Sequence, residues 1–219
     1  KDRYPGIFFS QFTGAELMAE KWNLSREDLD QFALSSHQKA AAAVEGKYFD
    51  REILPVQAKN AEGKADMVLN DEGIRYDASL EALSGLNPVT EGGVITAGNA
   101  SQITDGAAAL MICNDAGLKK VKADPRARVV GISVVGDDPI MMLGGPIPAS
   151  HKVLKATNLN INDIDLYEVN EAFAPVPLSW AIELKADIQK LNVNGGAMAL
   201  GHPLGATGAK LMTTLLHEL

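Results

Sequence analysis

Apolar side chains recur at helical spacing along much of the 219-residue chain. The clearest stretch follows Ser25-Arg-Glu-Asp28, a pattern typical of a helix start, and continues until Gly46. Its apolar positions fall three or four residues apart, which predicts one long helix with a buried face. Shorter helices are predicted over residues 13–22, 115–121, 148–157, 172–184 and 209–219.

Continuous or alternating apolar runs predict buried extended segments between these helices. They lie at residues 94–100, 107–112, 129–135, 164–169 and 191–193. Strands that alternate with helices favour an α/β fold with a parallel or mixed sheet. Residues 57–93 instead carry scattered glycines and mixed polarity, which indicates a loop-rich excursion over the surface.

Composition and charge exclude several classes of partner. The chain has 20 basic and 28 acidic residues, a net charge of −8, and its cations are dispersed, so we expect no nucleic-acid surface. No apolar run reaches the ~18 residues of a transmembrane helix. No signal peptide is visible, so we expect a cytoplasmic protein. The single cysteine, Cys113, fits a reducing compartment and is predicted to be buried and unreactive.

Residues 194–208 form a glycine-rich segment that holds five glycines and one histidine, His202. Glycine at this density weakens any regular element, so the segment serves a close approach of backbone. It follows a predicted strand and precedes a predicted helix, where open α/β sheets bind ligands. Taken alone, it is equally compatible with a structural turn.

Two other polar segments accompany the glycine-rich segment. Asn170-Glu-Ala-Phe173 lies at the carboxyl end of the predicted strand 164–169, and residues 99–106 form a polar turn between two apolar runs. Because the carboxyl ends of neighbouring parallel strands share one rim of a sheet, Asn170 and His202 are expected to meet.

Other chemistries lack the residues that they need. No histidine, cysteine or carboxylate spacing fits a metal site, so we expect no metal. Residues 205–210 have some likeness to a phosphate loop, but Lys210 is followed by leucine instead of serine or threonine, and no dinucleotide fingerprint is present. The other histidines are predicted to be surface or structural residues: His37, His151 and His217.

The chain resembles the thiolase family, which comprises the 3-ketoacyl-CoA thiolases and acetyl-CoA acetyltransferases. Four motifs carry the resemblance, in family order and spacing over essentially the whole chain. They are Thr96-Ala-Gly-Asn-Ala-Ser101 with Asp105-Gly106, Gly144-Gly-Pro-Ile-Pro-Ala-Ser150, Asn170-Glu-Ala-Phe173, and residues 194–208 with Gly-His-Pro at their centre.

The resemblance implies the layered α/β/α/β/α fold of thiolases, present here in incomplete form. Residues 1–103 correspond to the remainder of the family's loop domain. Residues 104–123 correspond to a strand and a helix of the N-terminal half, and residues 124–219 to most of the C-terminal half. Family thiolases are dimers or tetramers, so a homo-oligomer is expected.

The resemblance also implies acyl transfer, as in fatty-acid β-oxidation. A cysteine thiolate attacks the 3-keto carbon of a ketoacyl-CoA, acetyl-CoA leaves, and the acyl group passes to a second coenzyme A. Coenzyme A is therefore a substrate, and no cofactor is expected. His202 matches the histidine that activates the nucleophile and contributes to an oxyanion hole. Asn170 matches the asparagine that positions a water in that hole.

Five further residues match family positions along the acyl-CoA. They are Ser101 and the adjacent Ala97 at the pantetheine arm, Met142 and Phe173 near the acyl or pantetheine end, and Arg75 near the adenine. For each of them, a purely structural role in a turn or in the core is the alternative interpretation. Glu171 is open between a direct and a structural role. The Asn-Glu-Ala-Phe motif and the lack of a histidine at residues 8–13 favour an acyl group larger than acetoacetyl.

Two family cysteines have no counterpart, because Cys113 matches neither position. We therefore expect an internal piece of a thiolase that lacks the nucleophile and is inactive alone. One alternative is a non-catalytic thiolase-like protein that binds acyl-CoA or serves as a partner subunit. A second alternative, a glycine-rich nucleotide-binding domain, predicts ATP or NAD binding.

Overall fold

A computed structural model describes residues 3–59 and 62–219 of the chain. Within these residues the helices are α1 (Gln11–Lys21), α2 (Arg26–Glu45), α3 (Leu80–Ser84), α4 (Asp115–Val121), α5 (Pro146–Thr157), α6 (Pro175–Leu184), α7 (Ala197–Leu200) and α8 (Thr207–Glu218). An antiparallel hairpin pairs β1 (Val56–Lys59) with β2 (Ala65–Val68), with Val56 opposite Val68. Both strands are exposed along their whole length.

The long helix predicted after Ser25 is α2, and it begins as the sequence indicates. The Ser25 side chain accepts a hydrogen bond from the Asp28 backbone N–H, and the Asp28 carboxylate accepts one from the Ser25 N–H at 2.8 Å. This reciprocal cap satisfies two N–H groups that would otherwise lack partners at the helix start. Leu29 and Ala33 are fully buried on the inner face of α2.

The shorter helices also form, with ends that differ from the predictions by a few residues. Residues 115–121 are helical as predicted. Helix α6 begins at Pro175, later than the predicted residue 172, and its two prolines lie in the first turn, where no N–H is needed. The final helix begins at Thr207, two residues early, and Thr207 contributes to the site described below.

The hydrophobic core lies where α1 packs against α6 and α2 packs against α7. Its fully buried large side chains include Met18, Leu29, Ile95, Leu191 and Met198. Burial of one such side chain contributes ~1.5–3 kcal/mol. The aromatic rings of Tyr167 and Trp180 pack edge to face beside this core, with centroids 5.2 Å apart.

Two short extended segments bring the predicted site loops together. Tyr167 pairs with Leu191 in a single parallel bridge: the Tyr167 N–H donates to Lys190 O, and the Asn192 N–H donates to Tyr167 O, both at 2.9 Å. The segments thus run side by side in the same direction, so the residues that follow them share one rim. Strands were predicted at residues 164–169 and 191–193, but the two segments share only this one bridge and form no longer ladder of backbone hydrogen bonds.

The predicted strand at residues 129–135 has no regular secondary structure and belongs to no sheet among the described residues. Its inner side faces α5, where the Ser133 hydroxyl donates to Ala149 O at 2.7 Å. Its outer side exposes Ile132 and Val134, which are 80% and 81% accessible. The period-two pattern is therefore present, but a strand also needs a neighbour to accept its backbone hydrogen bonds.

Residues 107–112 likewise form no strand within the described chain, and their predicted burial is wrong. Met111 and Ile112 are more than 70% exposed, and Cys113 is exposed as well. An apolar run indicates that burial would be favourable, but burial also needs other parts of the protein to pack against the run. The predicted domain boundaries at 103/104 and 123/124 stay predictions.

Candidate functional site

His202 is held at the end of the glycine-rich segment by its backbone. The His202 N–H donates to Gln102 O at 3.0 Å, which ties this segment to the polar turn at residues 99–106. Gly201, directly before the histidine, has φ +79°, a conformation that favours glycine. A Cβ at Gly201 would also collide with the Thr104 side chain. The turn that presents the imidazole therefore requires glycine at position 201.

Asn170 and His202 meet as predicted. The Asn170 side-chain amide nitrogen lies 3.4 Å from His202 Nε2. The other amide atom, Asn170 Oδ1, is buried and has no hydrogen-bond partner in the described part of the chain. A cavity of about 380 Å³ between α5 and α6 reaches Asn170 and is lined mainly by apolar side chains. Asn170 therefore contacts both the imidazole and this cavity.

The Thr207 hydroxyl contacts His202 at Nδ1. Its oxygen lies 3.0 Å from Pro203 O and 2.7 Å from His202 Nδ1. We assign the hydroxyl proton to the Pro203 carbonyl, so that the hydroxyl oxygen accepts from Nδ1–H. In the neutral ring, Nε2 then carries a free lone pair, which suits the facing amide NH₂ of Asn170.

Glu171, next to Asn170, is a buried structural carboxylate. It accepts hydrogen bonds from the Ser36 hydroxyl at 2.6 Å, the Asn192 amide at 2.9 Å and the Met198 backbone N–H at 3.1 Å. Burial raises the pKa of this carboxyl, and the hydrogen bonds oppose that rise. Because its oxygens are occupied by three separate segments, the geometry favours the structural role over the direct one.

The polar turn at residues 99–106 bridges the two site loops. The Ser101 N–H donates to Ala172 O at 2.9 Å, and Ala100 pairs with Phe173. The Gln102 side chain, which the sequence did not single out, donates to Gly73 O and Met198 O, both at 2.7 Å. Ser101 therefore lies directly beside the Asn-Glu-Ala-Phe turn. Gln102 joins the polar turn at residues 99–106 to the glycine-rich segment that contains His202. Ala97 lies four residues earlier in the same turn-forming segment.

The predicted acyl-end residues both lie along α1. The Phe173 ring packs edge to face on Phe12, with centroids 5.4 Å apart. Met142 has φ +47° and places its side chain beside Gly14, two residues after Phe12 on the same helix. Positions two apart on a helix do not share a face, so Phe173 and Met142 contact different sides of α1.

Arg75 lies apart from the other predicted residues, at a second cavity of about 500 Å³. Its backbone N–H donates to His37 Nδ1 at 3.1 Å, and its side chain lines this cavity with Tyr76 and residues of α2. The link to the His202 loop is indirect and runs through Gly73 O, which accepts from Gln102.

Burial and a nearby positive charge both favour the neutral form of the imidazole. Burial lowers the pKa of His202, and the positive charge of Lys210 lowers it further. Burial also raises the pKa of Glu168 to about 8, with a contribution from the neighbouring Glu171 carboxylate. Glu168 therefore carries its proton near pH 7. In the described part of the chain, no cluster of His, Cys, Asp and Glu could hold a metal ion.

Comparison with known proteins identifies the class. Residues 8–116 match the family described as thiolase, N-terminal domain, and residues 123–219 match thiolase, C-terminal domain. The chain belongs to the thiolase family. None of the helices in the described part of the chain could cross a membrane.

Two curated relatives and two solved structures define the degree of similarity. The chain is 51% identical over 217 residues to the steroid 3-ketoacyl-CoA thiolase FadA6 of Mycobacterium tuberculosis, covering 99% of the chain and 52% of the relative. It is 47% identical over 206 residues to the human mitochondrial 3-ketoacyl-CoA thiolase, covering 94% and 52%. The crystal structure of Bacillus anthracis acetyl-CoA acetyltransferase superposes with a TM-score of 0.93 at 41% identity, covering 98% of this chain and 55% of that chain.

The human mitochondrial 3-ketoacyl-CoA thiolase in complex with CoA superposes with a TM-score of 0.86 at 42% identity, covering 94% of this chain and 51% of that chain. The thiolase-like α/β fold predicted from the motifs is confirmed. The chain spans about half the length of the curated relatives it matches.

Proposed function

We propose that the chain supplies the histidine and asparagine part of a thiolase active site. The observation that carries this proposal is the His202 ring itself. The Thr207 hydroxyl accepts a hydrogen bond from Nδ1–H in the tautomer that we assign, which leaves the lone pair of the neutral ring on Nε2, 3.4 Å from the Asn170 amide nitrogen. A neutral imidazole with an exposed Nε2 lone pair is a competent general base.

In the proposed reaction, His202 Nε2 takes the proton of a cysteine sulfhydryl that lies on polypeptide outside the described chain. The thiolate attacks the keto carbon of a 3-ketoacyl-CoA, and the bond between the α and β carbons breaks. The electron pair leaves as the acetyl-CoA enolate, and the acid/base cysteine of the family protonates its α carbon to give acetyl-CoA. A second coenzyme A then takes the acyl group from the cysteine and restores the thiol, and the same steps in reverse form the carbon–carbon bond.

Asn170 acts on the negative charge that develops on the substrate oxygen in this scheme. Its NH₂ group faces Nε2, and its buried Oδ1 has no partner among the described residues, so we propose that a water held by Oδ1 donates a hydrogen bond to the substrate oxygen. The chemistry draws on coenzyme A and acyl-CoA as substrates and requires no cofactor. The complex with CoA among the similar structures supports this choice of ligand.

We infer that Ser101 and Ala97 line the pantetheine arm, and that Met142 and Phe173 line the acyl end. Ser101 directly adjoins the Asn-Glu-Ala-Phe turn, which supports its part of the assignment. The position of Arg75 at a separate cavity on α2 is compatible with the more distant adenine. A substrate larger than acetoacetyl-CoA is proposed from the sequence, and the name of the steroid relative agrees with it.

A homo-oligomer and a cytoplasmic location are also proposed, on the family resemblance and the sequence respectively. The mammalian relatives are named as mitochondrial proteins, so cell fractionation is the direct test of location. We further propose that the described chain does not turn over by itself, because Cys113 matches neither family cysteine and is exposed.

The test measures CoA-dependent cleavage of 3-ketoacyl-CoAs of increasing size by the complete natural polypeptide that carries this sequence. His202→Gln should reduce kcat by about 10²–10⁴-fold, as expected for loss of a general base. Asn170→Ala should reduce it by about 10²–10³-fold. The exposed His151 on α5 provides the matched control, His151→Gln, which should leave kcat unchanged.

Other outcomes would favour the alternatives. Binding of CoA without any cleavage would support a non-catalytic acyl-CoA-binding or partner subunit. Binding of ATP or NAD in place of CoA would support a nucleotide-binding domain. Wild-type kcat in His202→Gln would refute the assignment of the base.

A further inference from the structure

Residues 99–101 hold the Asn-Glu-Ala-Phe turn through backbone hydrogen bonds. The Ala174 N–H donates to Asn99 O, and the Ser101 N–H donates to Ala172 O, both at 2.9 Å. Between these two contacts the segments run antiparallel to each other. The turn that carries the candidate catalytic asparagine is therefore fixed on one side of this segment.

Gln102, the next residue, holds the glycine-rich segment. Its backbone oxygen accepts from the His202 N–H at 3.0 Å. Its side-chain amide donates to Met198 O and to Gly73 O, both at 2.7 Å. Because Met198 lies four residues before His202, Gln102 contacts the chain on both sides of the bend that leads into the histidine.

The carbonyl groups around the Gln102 amide explain why this position suits glutamine. Met198 belongs to α7, a four-residue helix whose last carbonyl groups have no N–H partner within the helix. The residue is 1% exposed, so its carbonyl group needs a donor from the protein. The NH₂ group of glutamine supplies two donors, one for Met198 O and one for Gly73 O. An apolar side chain of similar size would remove both.

The polar turn also lies against the backbone on either side of His202. A Cβ at Gly201 would collide with the Thr104 side chain, and a Cβ at Gly106 would come 2.9 Å from the Pro203 ring. The two segments are therefore in close contact, and a shift of one against the other would disturb the turn that presents the imidazole.

Glu171 provides a second link between the two site loops. Its carboxylate accepts from the Met198 N–H at 3.1 Å, whereas Gln102 donates to the oxygen of the same residue. Glu171 thus holds the N–H side of α7, and Gln102 holds the carbonyl side, which continues into His202.

We propose that Gln102 is a positioning residue that fixes His202 Nε2 at its distance from the Asn170 amide. The contact between these two side chains is long, 3.4 Å, so it contributes little to holding the ring. Gln102 can set this distance because it directly follows the residues that hold the Asn-Glu-Ala-Phe turn. The proposal rests on the proposed function in one respect, since it treats His202 and Asn170 as catalytic residues.

The test replaces Gln102 by leucine in the complete natural polypeptide, which removes both donors and keeps the approximate size of the side chain. Gln102→Leu should lower kcat by about 10–100-fold, because a reacting group displaced by ~1 Å loses up to about 10²-fold in rate. The KM for coenzyme A should change by less than about twofold, since Ser101 and Arg75 keep their own backbone hydrogen bonds. The exposed Gln189 provides the matched control, Gln189→Leu, which should leave kcat and KM unchanged.

Crystal structures of the wild type and of Gln102→Leu measure the position of the ring directly and need no turnover. In the variant, the distance between His202 Nε2 and the Asn170 amide nitrogen should exceed hydrogen-bond range. Gln102→Asn is the second variant, and it decides the matter if the leucine variant does not fold. Its amide is one methylene too short to reach both carbonyl groups, so kcat should fall and the ring should shift, each to a smaller extent.

Wild-type kcat in a folded Gln102→Leu, or in Gln102→Asn if leucine prevents folding, would overturn the proposal. A lowered kcat with the wild-type distance between His202 and Asn170 would overturn it as well. A merely structural role of Gln102 would lower the free energy of unfolding and move neither kcat nor this distance. A wild-type protein without thiolytic activity would refute the proposed function, and the distances in the crystal structures would still decide whether Gln102 positions the ring.

Discussion

At the residue scale, the His202 imidazole is fixed at both ring nitrogens. Nδ1 donates to Thr207 at 2.7 Å, and Nε2 faces the Asn170 amide at 3.4 Å. The sequence predicted the meeting of Asn170 with His202, because each follows one of two neighbouring extended segments. It did not predict Thr207, since a threonine five residues after a histidine has several ordinary uses. Only the turn of α8 places its hydroxyl under the ring.

Thr207→Val should lower kcat by about tenfold, since the loss of one hydrogen bond of ~1.4 kcal/mol frees the tautomer. KM should change little, because the hydroxyl faces the ring. Thr207→Ser restores the hydroxyl and should recover most of the activity. The ¹⁵N spectrum of the ring measures the tautomer directly.

The control is Thr213→Val, on the same helix, where the hydroxyl donates only to Ala209 O within α8. That variant should leave kcat and the ring spectrum unchanged. A wild-type tautomer in Thr207→Val would contradict the role assigned to the hydroxyl.

At the scale of elements, the sequence predicted what local interactions determine. Helix α2 begins at Ser25 because its cap is made by residues three apart. The prediction of a strand at residues 129–135 was wrong, because a strand needs a second strand beside it and the segment's own sequence does not determine whether one is present. Gln102 was missed for the same reason: its amide joins Gly73 to Met198, residues far apart in sequence.

The glycine-rich segment carries the sharpest prediction at this scale. Gly201→Ala should destabilise the protein by ~1–3 kcal/mol. Alanine is strained at the φ of +79° that this position requires, and its Cβ would collide with the Thr104 side chain. It should also lower activity, since the strain falls on the residue before His202. Urea unfolding and the thiolysis assay measure the two effects.

Gly205→Ala is the matched control in the same segment, where an added Cβ meets nothing within 4 Å and φ is not positive. It should change the free energy of unfolding by less than ~0.5 kcal/mol. Equal effects of the two variants would show that the segment tolerates Cβ atoms generally, contrary to the argument from shape.

At the scale of the whole molecule, the exposed apolar segments set the behaviour of the described chain. Ile132 and Val134 project from a segment whose inner side is covered by α5 and whose outer side is bare. Unpaired extended backbone with apolar side chains associates readily with other chains.

The chain expressed alone should therefore self-associate in a concentration-dependent way, as light scattering would record. Replacing both Ile132 and Val134 by lysine should reduce this association. Asn162→Lys with Gln189→Lys adds the same charge at exposed positions elsewhere and should not. Equal relief by the two pairs would attribute association to net charge and not to this segment.

The most direct test of the central claim measures whether His202 activates a sulfhydryl. In the complete natural polypeptide, alkylation by iodoacetamide at pH 7 is followed peptide by peptide by mass spectrometry. One cysteine other than Cys113 should react faster than an ordinary thiol, and His202→Gln should slow it by at least about tenfold while leaving Cys113 unaffected. Equal alkylation rates with and without the imidazole, or a fast reaction at Cys113 alone, would contradict the account.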